Sequence, residues 1–353
     1  LVFSLVMTVA GNVGAVQYQI VDLGTLPGCV YSYATSINDN GQIVGYSTIP
    51  SVHSHAFILQ NGVMTDLDTL GGSDSTVISI NASGQAAGWS FTSSGSEHGA
   101  LWQSGAWTDL GALSSGTSCA SSINDSGQIV GYSYLAHNNS SHAVLWQNGG
   151  ITDLGIPSGY TSSLAQDIND KGWVVGNART LYASAFLWQN GKWTNLGYLP
   201  SYTVSSSASS INDSGQVVGA SLSANGECPF LWQNGVMTAL STLSGVGYSG
   251  ASSINNNGQI VGASAITSVI SHAVLWENGS IVDLGTLPGG SSSAAVSIND
   301  TGQIVGYSIA SNGYYHAVLW EPVPEMSSMA GLLGGLAGFG MVWRRRNKRQ
   351  LIQ

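Results

Sequence analysis

The chain has 353 residues, room for two ordinary domains or one large repetitive one, and its 43% hydrophobic content can fill a sizeable core. Only 7% of residues are charged, against about 25% in ordinary soluble domains; the polarity comes from Ser, Thr, Asn, Gln and 47 glycines, a composition for short strands and tight turns. Up to Glu325 the chain holds 18 acids and three basic residues (Lys171, Arg179 and Lys192), a net of −15, which excludes nucleic-acid binding because no Lys/Arg cluster is there to displace counterions.

The first element is an apolar run over residues 1–15 that ends in small residues. It reads as the apolar stretch and cleavage site of a secretory signal peptide, with cleavage after Ala15. From Gln17 a repeat takes over. Ile-Asn-x-x-Gly recurs with Ile at 37, 80, 123, 168, 211, 254 and 298. His-Ala-Val-Leu-Trp and its variants start at 55, 98, 142, 184, 228, 272 and 316. A Thr-Asp-Leu-Gly-like segment places its Leu at 23, 67, 110, 154, 196, 240 and 284. Each motif occurs seven times, at a period of 43–45 residues by the first of them.

Each unit predicts four short strands. The first ends at Ser-Ile-Asn, and an Asp-Ser-Gly-type turn leads to a second, such as 128–133. A variable loop precedes the third, such as 142–146, and Asn-Gly turns the chain into the fourth, 151–154. Four strands per unit, seven units and no helical periodicity predict an all-β fold, a seven-bladed β-propeller over 17–321. A parallel solenoid conflicts with the tight Asn-Gly hairpins. The body opens on a lone fourth strand, Gln19 to Leu23, and ends on a lone third strand, His316 to Trp320. The ring is therefore expected to close with one N-terminal and three C-terminal strands in a shared blade.

Residues 322–353 read as a sorting tail: Val323-Pro324-Glu325-Met326, a short apolar transmembrane helix over 328–343, then a basic cluster with Arg344, Arg345 and Arg346. This order resembles the PEP-CTERM sorting signal of Gram-negative bacteria, whose motif has Pro where Met326 stands. The resemblance implies a membrane exosortase as processing partner, release or coupling at the cell surface, and an association with exopolysaccharide. The His55-Ala56-Phe57 triplet and the Ile-Asn-x-x-Gly-Gln-Ile-Val-Gly segment at 37–45, with their later copies, resemble the HAF-repeat extracellular proteins over residues 18–320. That family implies export and repeat architecture and no agreed activity.

The repeated side chains read as scaffold. His55, His98, His142, His272 and His316, replaced by Ser184 and Cys228 in two units, sit one per blade, too far apart to converge on a metal, and are expected to bond within their own blades. Trp102, Trp146, Trp188, Trp232, Trp276 and Trp320 are expected to pack between blades. Cys29, Cys119 and Cys228 fall in different repeats and predict buried thiols without a disulfide framework. No organic cofactor is expected. The nearest approach to a cation loop, Asp167 to Gly172, lacks the closing Glu of a calcium loop, so turn chemistry accounts for it, and Ca²⁺ is the only ion these turns suggest.

Function is expected where the repeat is broken, on the face carrying the variable loops. The candidate ligand-binding residues there are Tyr31, Tyr33, His53, His137, Asn138, Tyr160, Tyr202, Tyr248, Tyr314 and Tyr315, a Tyr- and Asn-rich set suited to adaptable contacts and sugar stacking. The non-repeated acids are Asp68, Asp74, Glu97, Asp167 and Glu227, and no Gly-x-Ser-x-Gly or His-Glu-x-x-His motif is present. The sequence therefore favours a non-catalytic surface or matrix protein that binds polysaccharide or a surface protein, over a hydrolase or lyase acting on polysaccharide.

Overall fold

The third-to-fourth-strand turns show how local chemistry sets the architecture. Asn148 and Gly149 have φ of 53° and 74°, the left-handed pair of a type I′ turn, whose twist matches the strands it joins. The same geometry recurs at five other turns, with Ser104-Gly105 standing in for Asn-Gly once. These hairpins build a computed structural model that describes residues 16–49, 53–114, 116–135, 140–202, 204–223, 226–245 and 247–323. Among the described residues there are 28 strands and no helix. The strands form seven four-stranded antiparallel sheets, and the molecule is a seven-bladed β-propeller.

Blades one to six occupy residues 31–66, 71–109, 118–155, 162–197, 205–239 and 250–285, each as four strands in chain order. Blade seven combines Ser293–Ile298, Ile304–Ile309 and Tyr315–Val323 with the N-terminal strand Gln17–Gly24, as the mismatched ends of the repeat predict. The closing pair runs antiparallel from Gln17 opposite Val323 to Gly24 opposite Ala317. Pro322 and Val323 are thus strand residues paired with Tyr18 and Gln17, so the sheet runs two residues past the expected domain end at 321. The segments at 1–15 and 324–353 lie outside the described residues. That includes Pro324, Glu325, Arg344, Arg345, Arg346 and the expected helix over 328–343.

The apolar core is distributed between blades. Seven clusters of buried residues each draw on two consecutive blades; one joins Val305 and Ala317 of blade seven to Ala34, Ile37 and Phe57 of blade one. The Trp residues serve these contacts, as expected. Trp320 and Trp276 are buried and donate their indole N–H to Leu284 O and Ser241 O of the preceding blade. In blades two and four a strand-four Trp takes over: Trp107 donates to Leu67 O and Trp193 to Leu154 O.

The Asn of each Ile-Asn-x-x-Gly motif does more than make a turn. Asn38 Nδ2 donates to Asn81 O, and the relation repeats through Asn124, Asn169, Asn212, Asn255 and Asn299, which donates back to Asn38 O. A closed circle of seven buried hydrogen bonds therefore stitches the innermost strands together at the turn face. A second circle lies outside it. Asp125, Asp170, Asp213, Asn256, Asp300 and Asp39 each accept, through Oδ1, the backbone N–H of the residue at the same position in the preceding blade, and only Ala82 lacks the side chain to do so.

Candidate functional site

Each innermost strand runs from the variable-loop face to the turn face, so its first residues stand at the loop-face mouth of the ring. In blade one these are Tyr31 and Tyr33. Tyr46 is the antiparallel partner of Tyr33 on the second strand. Across the seam where the ring closes, blade seven contributes Tyr307, Tyr314 and Tyr315. Four of the rings make one contact group, and Tyr31 and Tyr314 make a pair beside it, with Tyr31 near enough to act electrostatically on Tyr33. Tyr33 stacks on Tyr46 at 5.0 Å between centroids, meets Tyr307 edge-on at 5.2 Å and lies 5.8 Å from Tyr315. Tyr307 meets Tyr315 at 5.4 Å and Tyr31 meets Tyr314 at 5.0 Å, both edge-on. These are the offset and T-shaped arrangements that aromatic quadrupoles favour.

Burial pushes the Tyr33 phenol up to about 12, helped by Tyr46, Tyr315, Tyr307 and Tyr31. Tyr46 and Tyr307 are raised for the same first reason. The inner phenols of the cluster therefore stay neutral at any ordinary pH. Among the described residues none of the six hydroxyls has a hydrogen-bond partner. The patch offers apolar ring faces together with uncommitted polar edges.

The other loop residues named from sequence do not join it. His53 lies beside Asp74 at 3.4 Å in blade one's loop, and Tyr248, 65% exposed, stands next to blade six. Tyr160 turns inward, edge-on to Phe186 at 5.1 Å, with its hydroxyl 3.0 Å from Ser184 Oγ. Tyr202 packs against the cluster that contains Cys228. His137 and Asn138 lie outside the described residues. Sequence reasoning missed Tyr46 and Tyr307 because Tyr132 holds the same register position, which made them look like repeat scaffold.

The repeated His residues bond within their blades, as expected, and the partner is specific. His55, His98, His142 and His272 each place Nδ1 2.8–2.9 Å from the strand-four Asp66, Asp109, Asp153 and Asp283. In blade seven His316 meets Asp22 of the N-terminal strand at 2.9 Å. Where His is lost, so is the acid: Ser184 has Asn195, and Cys228 has Ala239, at the corresponding place. In blade four the gap is filled by Tyr160 and Tyr198, whose hydroxyls flank Ser184 Oγ. In blade one Asp68 joins His55 and Asp66, their ligating atoms within 4.8 Å of one another at an exposed rim.

The non-repeated acids are scattered. Burial raises Asp74, but hydrogen bonds from Ser73, the Ser54 N–H and His53 outweigh it, and the carboxyl ends below its usual range. Burial alone raises Glu97 and Glu227. Asp167 lies in the wall of the central channel. Its Oδ1 accepts from Ser122 Oγ at 2.7 Å and the Ile168 N–H at 2.9 Å, and its Oδ2 accepts from the Ile211 N–H at 2.9 Å. The three side chains of the calcium-loop-like segment face different partners: Asp167 these three, Asn169 the Asn212 carbonyl, and Asp170 the Asp125 N–H.

Asp167 makes a pH prediction. Burial raises its carboxyl above the usual value despite the hydrogen bonds. A raised native pKa means that the folded chain holds this proton longer than the unfolded one. The stability linked to it is complete below about pH 4 and is lost as pH rises through the native value. Against an Asp167→Ser variant, the natural protein is expected to lose stability as pH rises through that window. Urea denaturation at stepped pH checks this; a difference between the two proteins that stays constant from pH 4 to 8 contradicts it.

No family model matches the chain, and no curated protein matches it. Among solved structures it is similar to a puromycin-hydrolysing peptidase of Mycobacterium tuberculosis, with a TM-score of 0.60, 11% identity and coverage of 84% of this chain and 53% of that one. It is also similar to the acylaminoacyl peptidase of Pyrococcus horikoshii, with a TM-score of 0.51, 11% identity and coverage of 82% and 51%. The chain spans about half the length of these structures. At such identity the likeness extends to the fold alone, and it places the chain in the broad class of β-propeller proteins.

Proposed function

We propose that this is an exported, non-catalytic bacterial surface or matrix protein that binds polysaccharide through the tyrosine cluster at the seam of the ring. The observation that carries the reading is the gathering of six phenol rings from blades seven and one at the loop face, with hydroxyls that have no hydrogen-bond partner among the described residues. A pyranose presents C–H faces to aromatic rings and hydroxyls around its edge, and phenols meet both at low conformational cost. The acidic body suits a neutral or cationic glycan better than an anionic one. Export rests on the leader-like residues 1–15. Delivery to the surface rests on the tail from Val323, with a membrane exosortase as the processing partner and the HAF-repeat resemblance in support.

A glycan array, followed by titration of the best binder, tests this. Replacing Tyr31 and Tyr314, the outer edge-on pair, by Ala is expected to weaken binding at least tenfold, about 1.4 kcal/mol, with little change in Tm. Undiminished binding in that variant, or binding to a surface protein and to no glycan, overturns the assignment. The catalytic alternative draws on carboxyls raised by burial, Glu97 among them beside Glu227 and Asp167. Polysaccharide cleavage by the natural protein that disappears in Glu97→Gln would make the protein an enzyme.

A further inference from the structure

The central channel widens into a cavity of about 450 Å³ above the asparagine circle, lined mainly by Ser and Thr side chains of the innermost strands. That volume lies within the usual range for small-ligand sites, roughly 300–1,000 Å³. Its wall is nearly sevenfold symmetric, and the symmetry fails in one blade. Where blade four has Asp167, the other six blades have Ser36, Ser79, Ser122, Ser210, Ser253 and Ser297. Next to it, Gln166 replaces Thr, Ser, Ile or Val. On the adjoining strand Asn177 stands where the other blades have an aromatic residue or Ala. All three departures line the same cavity.

The inter-blade bond of the scaffold does not need Asp167. Ser36 and Ser79 already accept the N–H of Ile80 and Ile123 in the next blade, at 3.4 and 3.3 Å. Asp167 performs that task through Oδ2 toward Ile211, and it adds a buried carboxyl, raised by that burial, that six blades do without. What the carboxylate adds is direction. It takes the hydroxyl proton of Ser122, and that of Ser210 also points to it. The lone pairs of both serine oxygens are then left as acceptors. Around them stand amide donors. Asn177 uses Oδ1 for the Ala208 N–H, which leaves its Nδ2 hydrogens to other acceptors, and among the described residues Gln166 has no hydrogen-bond partner. Fixed acceptors beside amide donors complement a row of hydroxyls, each of which donates once and accepts twice. A negative ligand is opposed by the carboxylate, and an apolar one leaves the wall unsatisfied.

We infer that the axial cavity is a binding site for a small neutral polyol, such as a single sugar residue, with Gln166 and Asn177 as direct contacts and Asp167 as the positioning residue that orients the Ser122 and Ser210 hydroxyls. The site is separate from the tyrosine cluster and does not rest on it.

The test uses the full chain and a triple variant, Gln166→Ser, Asp167→Ser and Asn177→Ala, which installs residues the other blades carry and so is expected to fold. D-glucose, D-mannose and myo-inositol are titrated calorimetrically, with glucuronate and spermidine as charged controls. The expected result is saturable binding of at least one neutral polyol that weakens tenfold or more in the triple variant, without a lower Tm, and is unaffected by the Tyr31/Tyr314 double variant. Should the triple variant not fold, Gln166→Ser alone, which removes no hydrogen bond among the described residues, is expected to weaken binding at least threefold. Absence of binding by all three polyols, full binding in the variants, or preference for glucuronate or spermidine overturns the inference.

Discussion

Removal of residues 17–24 is expected to abolish cooperative folding of the whole ring, because the seventh blade has no other fourth strand. The strand pairs with seven residues of Tyr315–Val323, from Gln17 opposite Val323 to Gly24 opposite Ala317. It also places Tyr18, 8% exposed, among Leu284, Ile298 and Trp320, at the junction of blades six and seven. Asp22 is the acid that His316 requires. The lost ladder bonds contribute about 0.5–1.5 kcal/mol each, and the lost Tyr18 burial about 2 kcal/mol. Together they approach the roughly 5–15 kcal/mol total stability of a typical domain. The deletion also exposes a long apolar edge ready to pair with other chains. Circular dichroism melting is expected to show no cooperative transition, or one lowered by more than 15 °C with aggregation. A transition at the natural temperature would show that the ring does not depend on this closure.

The architecture was legible because seven copies of one unit act as an alignment of the chain with itself. Three motifs counted separately agree on seven, and the odd strand at each end predicts the shared blade. What escaped is the part of each motif whose partner lies in another blade. Asn38 and its copies read as turn residues, yet turn chemistry tolerates Asp, Ser or Gly at that place. Their strict identity, beside a following position that varies among Asp, Asn and Ala, was the available sign of the inter-blade circle. The His–Asp pairing carried a similar sign in its joint loss at Ser184/Asn195 and Cys228/Ala239.

The candidate site was legible only in pieces. Tyr31 and Tyr33 stand more than 280 residues from Tyr314 and Tyr315 in the chain, and only the closure of the ring makes them neighbours. Tyr46 and Tyr307 complete the cluster from strand positions, so a search confined to variable loops passes over them. Asp167 stood out as a non-repeated acid, but its setting among hydroxyls follows from the bulge that every innermost strand carries beside it, Ala165/Asp167 in blade four. A period-two reading of the strand does not contain that bulge.

The same bulge makes the second large prediction: Gly131→Ala is expected to destabilise the protein far more than Gly127→Ala in the same hairpin. Gly127, in the turn, has φ of 75°, and a Cβ there meets nothing nearer than 3.6 Å. Its replacement carries only the left-handed strain, about 1–2 kcal/mol. Gly131 lies opposite the bulge between Ala120 and Ser122, which carries the Cys119 carbonyl to within 2.0 Å of where a Cβ would sit. The obstacle is backbone, not the end of a flexible side chain, so the two strands must part and lose ladder bonds. The expected cost is roughly 3 kcal/mol or more. Six other glycines, Gly45, Gly88, Gly176, Gly219, Gly262 and Gly306, face a carbonyl oxygen at 1.9–2.1 Å in the same way, which explains why the last Gly of Gln-Ile-Val-Gly and its variants recurs in every copy. Urea midpoints of the two variants measure the difference directly. If Gly131→Ala costs no more than Gly127→Ala, the close approach of the two strands is not what this glycine serves.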